Sequence, residues 1–184
     1  DLETALDSTL NGVFFHAGQI CSAGSRLLLH EAIADEFVER LAERMAAIQL
    51  GSGLDPNTRM GPLISAEHRA GVADKVDRAV QDGARVVTGG MRPERQDLAQ
   101  GFYYRPTLLD RCEPGMAATR EEIFGPVITV ERFANEEEAV ARANDTEYGL
   151  SGGFQTRDPG RIERVSRALR FGTVWVNDYN VYVP

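Results

Sequence analysis

The chain has 184 residues, 42% of them hydrophobic and 26% charged, a composition that predicts a folded globular domain and excludes intrinsic disorder. Its formal net charge is −8 with Lys and Arg dispersed, which excludes a nucleic-acid-binding surface, and no apolar run approaches the roughly 20 residues of a membrane span. Two cysteines and three scattered histidines exclude a disulfide scaffold and a metal site.

The sequence predicts a chain in which helices and strands alternate. Apolar residues three or four positions apart mark the helices, as at Ile33, Phe37 and Leu41, and short apolar runs between turn residues mark the strands. In chain order the predicted elements are a helix over 3–15, a strand over 26–30, a helix over 33–48, a helix between Ser65 and Gly83, strands over 84–88, 107–109 and 127–132, a helix from Asn135 to Asn144, a strand over 150–155, a helix between Asp158 and Gly172, and a strand over 174–176.

This alternation determines the predicted fold class. Helical crossovers are right-handed and leave successive strands parallel, so the sequence predicts an α/β fold with a mostly parallel sheet and helices on both faces. Neither a repeat nor a linker divides the chain, which favours a single domain over residues 1–184. A flavodoxin-like or nucleotide-binding unit has the same alternation, so the fold class alone names no function.

The first candidate site surrounds Cys21, in a loop with glycines at positions 18 and 24 between a helix and a strand. A cysteine there can use its thiolate as a nucleophile and its own N–H as a donor to an oxyanion. The alternative is a small buried hydrophobe. His16 fits a surface or helix-end position better than a Cys–His pair, and Cys112, which precedes a turn without donors, is expected to have no catalytic role.

The second candidate site contains two adjacent carboxylates, Glu121 and Glu122, just before Phe124 and a Gly-Pro turn. One carboxylate can accept two hydrogen bonds from a vicinal diol such as a ribose. The aromatic ring of Phe124 can pack on a nicotinamide ring. A solvated acidic turn with a core phenylalanine is the alternative.

The third candidate segment follows the last predicted strand and is rich in aromatic residues, including Tyr179 and Tyr182. Binding residues often follow the carboxyl end of a parallel strand. Alternatively, these aromatics pack against the remainder of a longer protein.

Residues 14–26 closely resemble the active-site cysteine segment of the aldehyde dehydrogenase family, and residues 121–127 resemble the family's cofactor-contact segment. Residues 16–19 and 176–179 are most similar to the betaine-aldehyde dehydrogenases within that family. The resemblance covers the whole chain, because further segments match in family order and spacing: residues 50–51, 60–62, 143–145, 148–150 and 172–177.

The resemblance implies a role for each candidate residue. Cys21 matches the nucleophile that forms a thiohemiacetal with a small aldehyde, gives up hydride to NAD or NADP, and leaves a thioester for hydrolysis. Glu122 matches the glutamate that holds the nicotinamide ribose, and Phe124 matches the aromatic beside that ring. Tyr179 and Tyr182 are expected to offer aromatic faces to a quaternary ammonium group of the substrate.

The chain departs from the family pattern at both ends. The family's general-base glutamate, oxyanion asparagine and Rossmann-like cofactor domain are expected before Asp1, and its C-terminal dimer-building segment after Pro184. Residues 1–184 are therefore expected to be the cysteine-bearing catalytic domain of a longer enzyme. By default, that enzyme is expected to be a cytoplasmic homo-oligomer without nucleic-acid or membrane partners.

Two other functions fit the same residues. An acylating dehydrogenase keeps the fold and the nucleophile but transfers the thioester to coenzyme A. A non-catalytic oligomerisation domain leaves Cys21 as a packed side chain. The sequence upstream of residue 1 would distinguish the acylating dehydrogenase from a hydrolytic one. The reactivity of the Cys21 thiol would distinguish the non-catalytic domain from an enzyme.

Overall fold

A computed structural model describes residues 1–181, which fold into helices packed on two β-sheets. The helices are α1 (Leu2–Phe14), α2 (Glu31–Ala46), α3 (Ala66–Gln81), α4 (Ala117–Arg120), α5 (Glu136–Asn144) and α6 (Pro159–Ala168). The strands are β1 (Arg26–His30), β2 (Arg85–Thr88), β3 (Thr107–Asp110), β4 (Val127–Phe133), β5 (Ser151–Phe154) and β6 (Thr173–Val176). None of the helices within residues 1–181 has the length and hydrophobicity of a transmembrane span.

The larger sheet has the strand order β1-β4-β3-β2. β4 runs parallel to β1 and β3, whereas β2 pairs antiparallel with β3. The connection from β2 to β3 contains one short 3₁₀ turn (Gln96–Leu98) and no α-helix, unlike the helical crossovers that join parallel strands. β5 and β6 form a separate parallel pair connected through α6. The predicted α/β class with mostly parallel strands is confirmed.

The centre of the core lies at β3 and β4, where Leu108, Leu109, Ile128 and Val130 are fully buried. Burial of successive residues means that both faces of these strands are covered, which explains their nearly continuous apolar sequence. α2 packs across all four strands of the larger sheet, and α5 also contacts β4. The central strands thus form a rigid base for the loops at their ends.

A buried ion pair fixes the start of β1, directly after the loop that holds Cys21. Glu131 on β4 is fully buried, and its two carboxylate oxygens accept hydrogen bonds from Arg26 at 2.5 and 3.1 Å. Arg142 lies 3.8 Å from the same carboxylate. A buried carboxylate without a partner is strongly unfavourable. This ion pair therefore holds Arg26, the first residue after the Cys21 loop, in a fixed position against β4.

Candidate active site

A left-handed turn carries the chain from α1 into the segment that we call the cysteine loop (residues 19–25). His16, Ala17 and Gly18 have φ values of 49°, 57° and 72°. The turn is closed by the Gln19 N–H, which donates to the His16 carbonyl at 3.1 Å. Left-handed backbone is costly for residues with a Cβ, and such strain is concentrated at functional sites. The turn ends helix α1 and begins the cysteine loop.

Cys21 lies on the surface of the cysteine loop, with an exposed side chain and no disulfide. Among residues 1–181, nothing accepts a hydrogen bond from its backbone N–H. The neighbouring Ala23 N–H, in contrast, donates to the Ile20 carbonyl at 3.0 Å and closes the turn around the cysteine. Cys21 thus combines an exposed thiol with an amide that has no acceptor among the described residues, the two groups that a nucleophile with an oxyanion donor requires.

Cys112 has the opposite environment. It is 2% exposed, and its Sγ lies 3.5 Å from the Leu109 carbonyl, to which it donates. Burial raises the pKa of the Cys112 thiol to about 12. Because the thiolate is the nucleophilic form, burial and a raised pKa disfavour nucleophilic chemistry at Cys112, and its lack of a catalytic role stays a prediction.

His16 makes its ring contact with a neighbouring aromatic residue. Its ring packs on Phe15 with 4.2 Å between centroids, and among residues 1–181 no hydrogen bond joins it to Cys21. The structure therefore offers no Cys–His pair at this turn.

The turn that leads into the cysteine loop packs against a second segment, the acidic loop (residues 121–126). Gly18 at the entrance of the cysteine loop touches the backbone of Gly125: an added Cβ on Gly18 would lie 2.1 Å from the Gly125 carbonyl oxygen. Only glycine fits, because any side chain there would clash with main-chain atoms that cannot move aside cheaply. The fold therefore brings two of the three sequence-predicted segments together.

The two adjacent glutamates of the acidic loop have different environments. The Glu121 carboxylate accepts a hydrogen bond from Arg78 at 2.6 Å. The Glu122 carboxylate is exposed, and among residues 1–181 it has no hydrogen-bond or ion-pair partner. Glu122 is thus the carboxylate that can accept hydrogen bonds from a ligand.

Helix α3 holds the acidic loop from one side. His68 Nε2 lies 2.7 Å from the Phe124 carbonyl oxygen, and Lys75 Nζ donates to the Glu122 carbonyl oxygen. Positions 68 and 75 are two turns apart and share one face of the helix. The sequence did not predict these contacts, because both side chains bind main-chain oxygens. The only available signal was their helical spacing, which indicates a common face.

Phe124 adopts a left-handed conformation with φ of 55° and is 39% exposed. Its ring meets the His68 ring edge to face, with 6.1 Å between centroids. A large side chain rarely adopts this backbone conformation unless neighbouring contacts hold it there. Phe124 therefore presents an aromatic surface beside the Glu122 carboxylate.

Tyr179 reaches the cysteine loop from the segment after β6. An added Cβ on Gly24 would lie 3.1 Å from the Tyr179 ring, and one on Gly12 would lie 2.9 Å from it. The ring also packs on Trp175 with 4.7 Å between centroids. The third sequence-predicted segment therefore also lies at this site, whereas Tyr182 lies outside the described residues.

Two surface grooves of the described residues lie outside the candidate site. A groove of about 580 Å³ between α5 and α6 and a smaller one of about 250 Å³ beside Cys112 both lie away from Cys21. Within the described residues, no group of three or more His, Cys, Asp or Glu side chains is placed to hold a metal ion. The chemistry available at the cysteine loop is that of a thiol, a backbone amide, a carboxylate and aromatic rings.

Known proteins match this chain over its whole length. The sequence matches the Aldehyde dehydrogenase family over residues 1–184. Betaine aldehyde dehydrogenase of Bacillus subtilis is 52% identical over 182 residues, and the match covers 99% of this chain and 37% of that protein. The chloroplastic betaine aldehyde dehydrogenase of Atriplex hortensis is 45% identical over 177 residues, covering 96% of this chain and 35% of the relative.

Solved structures agree with these matches. The crystal structure of betaine aldehyde dehydrogenase from Staphylococcus aureus in complex with NAD+ superposes with a TM-score of 0.97 at 47% identity, covering 99% of this chain and 36% of that one. The chain thus spans little more than a third of the length of the relatives that it matches. The family match, the relatives and the structural similarity agree: the chain belongs to the aldehyde dehydrogenase family.

Proposed function

We propose that residues 1–184 are the cysteine-bearing catalytic domain of a longer NAD(P)-dependent aldehyde dehydrogenase, with Cys21 as its nucleophile. The observation that carries this proposal is the contact between Gly18 and Gly125, which joins the loop of an exposed thiol to the loop of a free carboxylate. Hydride transfer needs its donor carbon and its acceptor ring close together, and the proposal assigns the donor carbon to the cysteine loop and the acceptor ring to the acidic loop.

The residues of the acidic loop fit a dinucleotide cofactor. The Glu122 carboxylate can accept hydrogen bonds from both hydroxyls of a ribose, and the exposed Phe124 ring can pack beside a nicotinamide. His68 and Lys75 hold this loop through its main chain, so both groups keep their positions. When bound, NAD(P) supplies the hydride acceptor.

Cys21 performs the covalent steps in this proposal. Its thiolate attacks the aldehyde carbonyl carbon, and the resulting alkoxide accepts a hydrogen bond from the Cys21 N–H. Loss of hydride from that carbon leaves a thioester on Cys21. Water then attacks the thioester carbonyl, the carbon–sulfur bond breaks, and the carboxylate leaves with the thiol restored. The base that activates this water is assigned to a part of the enzyme outside residues 1–184.

We further propose betaine aldehyde as the substrate and NAD as the cofactor. The relatives from B. subtilis and A. hortensis carry that substrate in their names, and the S. aureus neighbour was crystallised with NAD+. Aromatic faces attract quaternary ammonium groups, and Tyr179 beside the cysteine loop, together with Tyr182, is assigned this role. From the family resemblance, the longer enzyme is assigned as a cytoplasmic homo-oligomer.

The test of this proposal uses the complete enzyme with betaine aldehyde and NAD, with and without coenzyme A. NADH and betaine should form at equal rates in both mixtures, because water accepts the acyl group. A requirement for coenzyme A would instead identify an acylating enzyme, and no NADH in either mixture would favour the non-catalytic alternative.

The matched substrate control is 3,3-dimethylbutanal, in which carbon replaces the charged nitrogen of betaine aldehyde. A cation–π contact should make kcat/KM lower for this neutral analogue by about three- to thirty-fold. Equal kcat/KM for the two aldehydes would contradict recognition of the quaternary ammonium group, while leaving the dehydrogenase assignment in place.

A further inference from the structure

The residue that follows Cys21 is tied to a segment near the other end of the described chain. Ser22 is 4% exposed, and its Oγ donates a hydrogen bond to Asn180 Oδ1 at 2.7 Å, across 158 residues of sequence. Asn180 Nδ2 in turn donates to the Gly12 carbonyl at 3.2 Å. One amide side chain therefore connects the cysteine loop, the end of α1 and the segment after β6.

The Gly12 carbonyl is shared with the cysteine loop itself. The Gly24 N–H donates to it at 3.1 Å. The Tyr179 ring fills the space beside both glycines, so the peptide before Asn180 is held by packing as well. Asn180 has a φ of 56°, a left-handed conformation in which asparagine is several-fold enriched among residues with a side chain. These contacts fix Asn180 against the cysteine loop.

Both bonds of Asn180 require an amide. Its oxygen accepts from the Ser22 hydroxyl while its nitrogen donates to the Gly12 carbonyl. An ionised aspartate at this position has acceptors only, and an apolar residue has neither group. The side chain is therefore matched to its two partners rather than being an interchangeable surface residue.

We propose that Asn180 is a positioning residue for Cys21. The inference rests on the proposed function, in which Cys21 is the nucleophile. Cys21 and Ser22 share a peptide bond, so rotation at Ser22 moves both the Cys21 thiol and the Cys21 amide. Displacement of a reacting group by about 1 Å can lower a rate by about a hundred-fold, so an anchor at Ser22 bears directly on the attack geometry.

The anchoring is tested by amide hydrogen exchange in the complete enzyme, which needs no catalytic activity. In Asn180→Gly, which removes the amide but keeps the left-handed backbone accessible, exchange over residues 20–25 should be about three- to ten-fold faster than in wild type. Asn177→Gly is the matched control. Asn177 is also left-handed, with φ of 58°, but its side chain accepts from the Thr156 N–H at 2.8 Å. Exchange in the cysteine loop should not change in this control.

The catalytic consequence is measured as the single-turnover rate of NADH formation at saturating NAD. Asn180→Gly and Ser22→Ala should each lower this rate by about three- to ten-fold. The double variant should lose no more than Asn180→Gly alone, because each single variant already breaks the bond between Ser22 and Asn180. The KM for NAD should stay at its wild-type value, since the acidic loop is untouched.

The outcomes separate this inference from the proposed function. Additive losses in the double variant, or unchanged exchange over residues 20–25 in Asn180→Gly, would overturn the positioning role while the wild-type enzyme still oxidises aldehyde. A wild-type enzyme that oxidises no aldehyde would overturn the proposed function itself.

Discussion

Replacing Cys21 with Ala in the complete enzyme should abolish aldehyde oxidation, with a loss in kcat of about 10⁴-fold or more. In the proposed mechanism the thiol forms the bond to the substrate carbon, and the alanine side chain has no nucleophile. Because the side chain is exposed, its removal should change the free energy of unfolding by less than about 0.5 kcal/mol, and cofactor binding should stay close to wild type. Steady-state NADH formation and NAD titration measure the two properties.

Cys112→Ala is the matched control for this experiment. Its thiol is buried and its pKa is raised, so its loss should affect stability rather than chemistry. Activity should remain within about three-fold of wild type, whereas the free energy of unfolding should fall by about 1 kcal/mol. If Cys21→Ala retained activity within ten-fold of wild type, Cys21 would not be the nucleophile.

The second large effect is expected for Glu122→Gln, also in the complete enzyme. In the proposed cofactor site, a neutral amide oxygen is a weaker acceptor for the two ribose hydroxyls than an ionised carboxylate, because hydrogen bonds to a charged group contribute about 1.5 to 3 kcal/mol. The rate of hydride transfer should therefore fall by about ten- to a hundred-fold, because the nicotinamide loses its orientation. Single-turnover formation of NADH measures this rate without product release.

Glu121→Gln is the control that the chain itself provides. Glu121 is adjacent in sequence but pairs with Arg78, so its replacement should leave single-turnover NADH formation nearly unchanged. Equal losses for Glu121→Gln and Glu122→Gln would indicate a general effect of charge. An unchanged rate in Glu122→Gln would remove Glu122 from the cofactor site.

The regular elements were predictable because their signals are local. Three predicted helices begin at Ser65, Asn135 and Asp158, and in the structure each of these side chains caps its helix by accepting a hydrogen bond from the first turn. The strand predicted over 26–30 has those bounds in the structure. Helix α4 was not predicted, because four residues are too few for a hydrophobic period.

The sheet order and the left-handed turn after α1 were beyond sequence reasoning. The predicted first helix extended to residue 15, but helix α1 ends at Phe14, before the turn. The backbone at Gly18 is fixed by its contact with Gly125, more than a hundred residues later, and no local pattern encodes that contact. The pairing of β1 with β4 likewise depends on tertiary packing.

The residues of the candidate site also fall into those that the sequence could predict and those that it could not. Cys21 and Glu122 could be identified from residue type, loop context and family resemblance, because their own side chains carry the proposed chemistry. His68 and Asn180 could not, because they act on main-chain atoms or on a distant loop. Supporting residues of this kind depend on the folded geometry, which a single sequence does not display.

The most direct test of the central claim is mass spectrometry of the acyl-enzyme. The complete enzyme is mixed with NAD and betaine aldehyde, quenched in acid during the first turnover, and digested without thiols. The peptide that contains Cys21 should gain the mass of the acyl group, and the adduct should disappear on treatment with hydroxylamine, which cleaves thioesters. Continued turnover with an unmodified Cys21 peptide, or an acyl group on another residue, would contradict the assignment of Cys21 as the nucleophile.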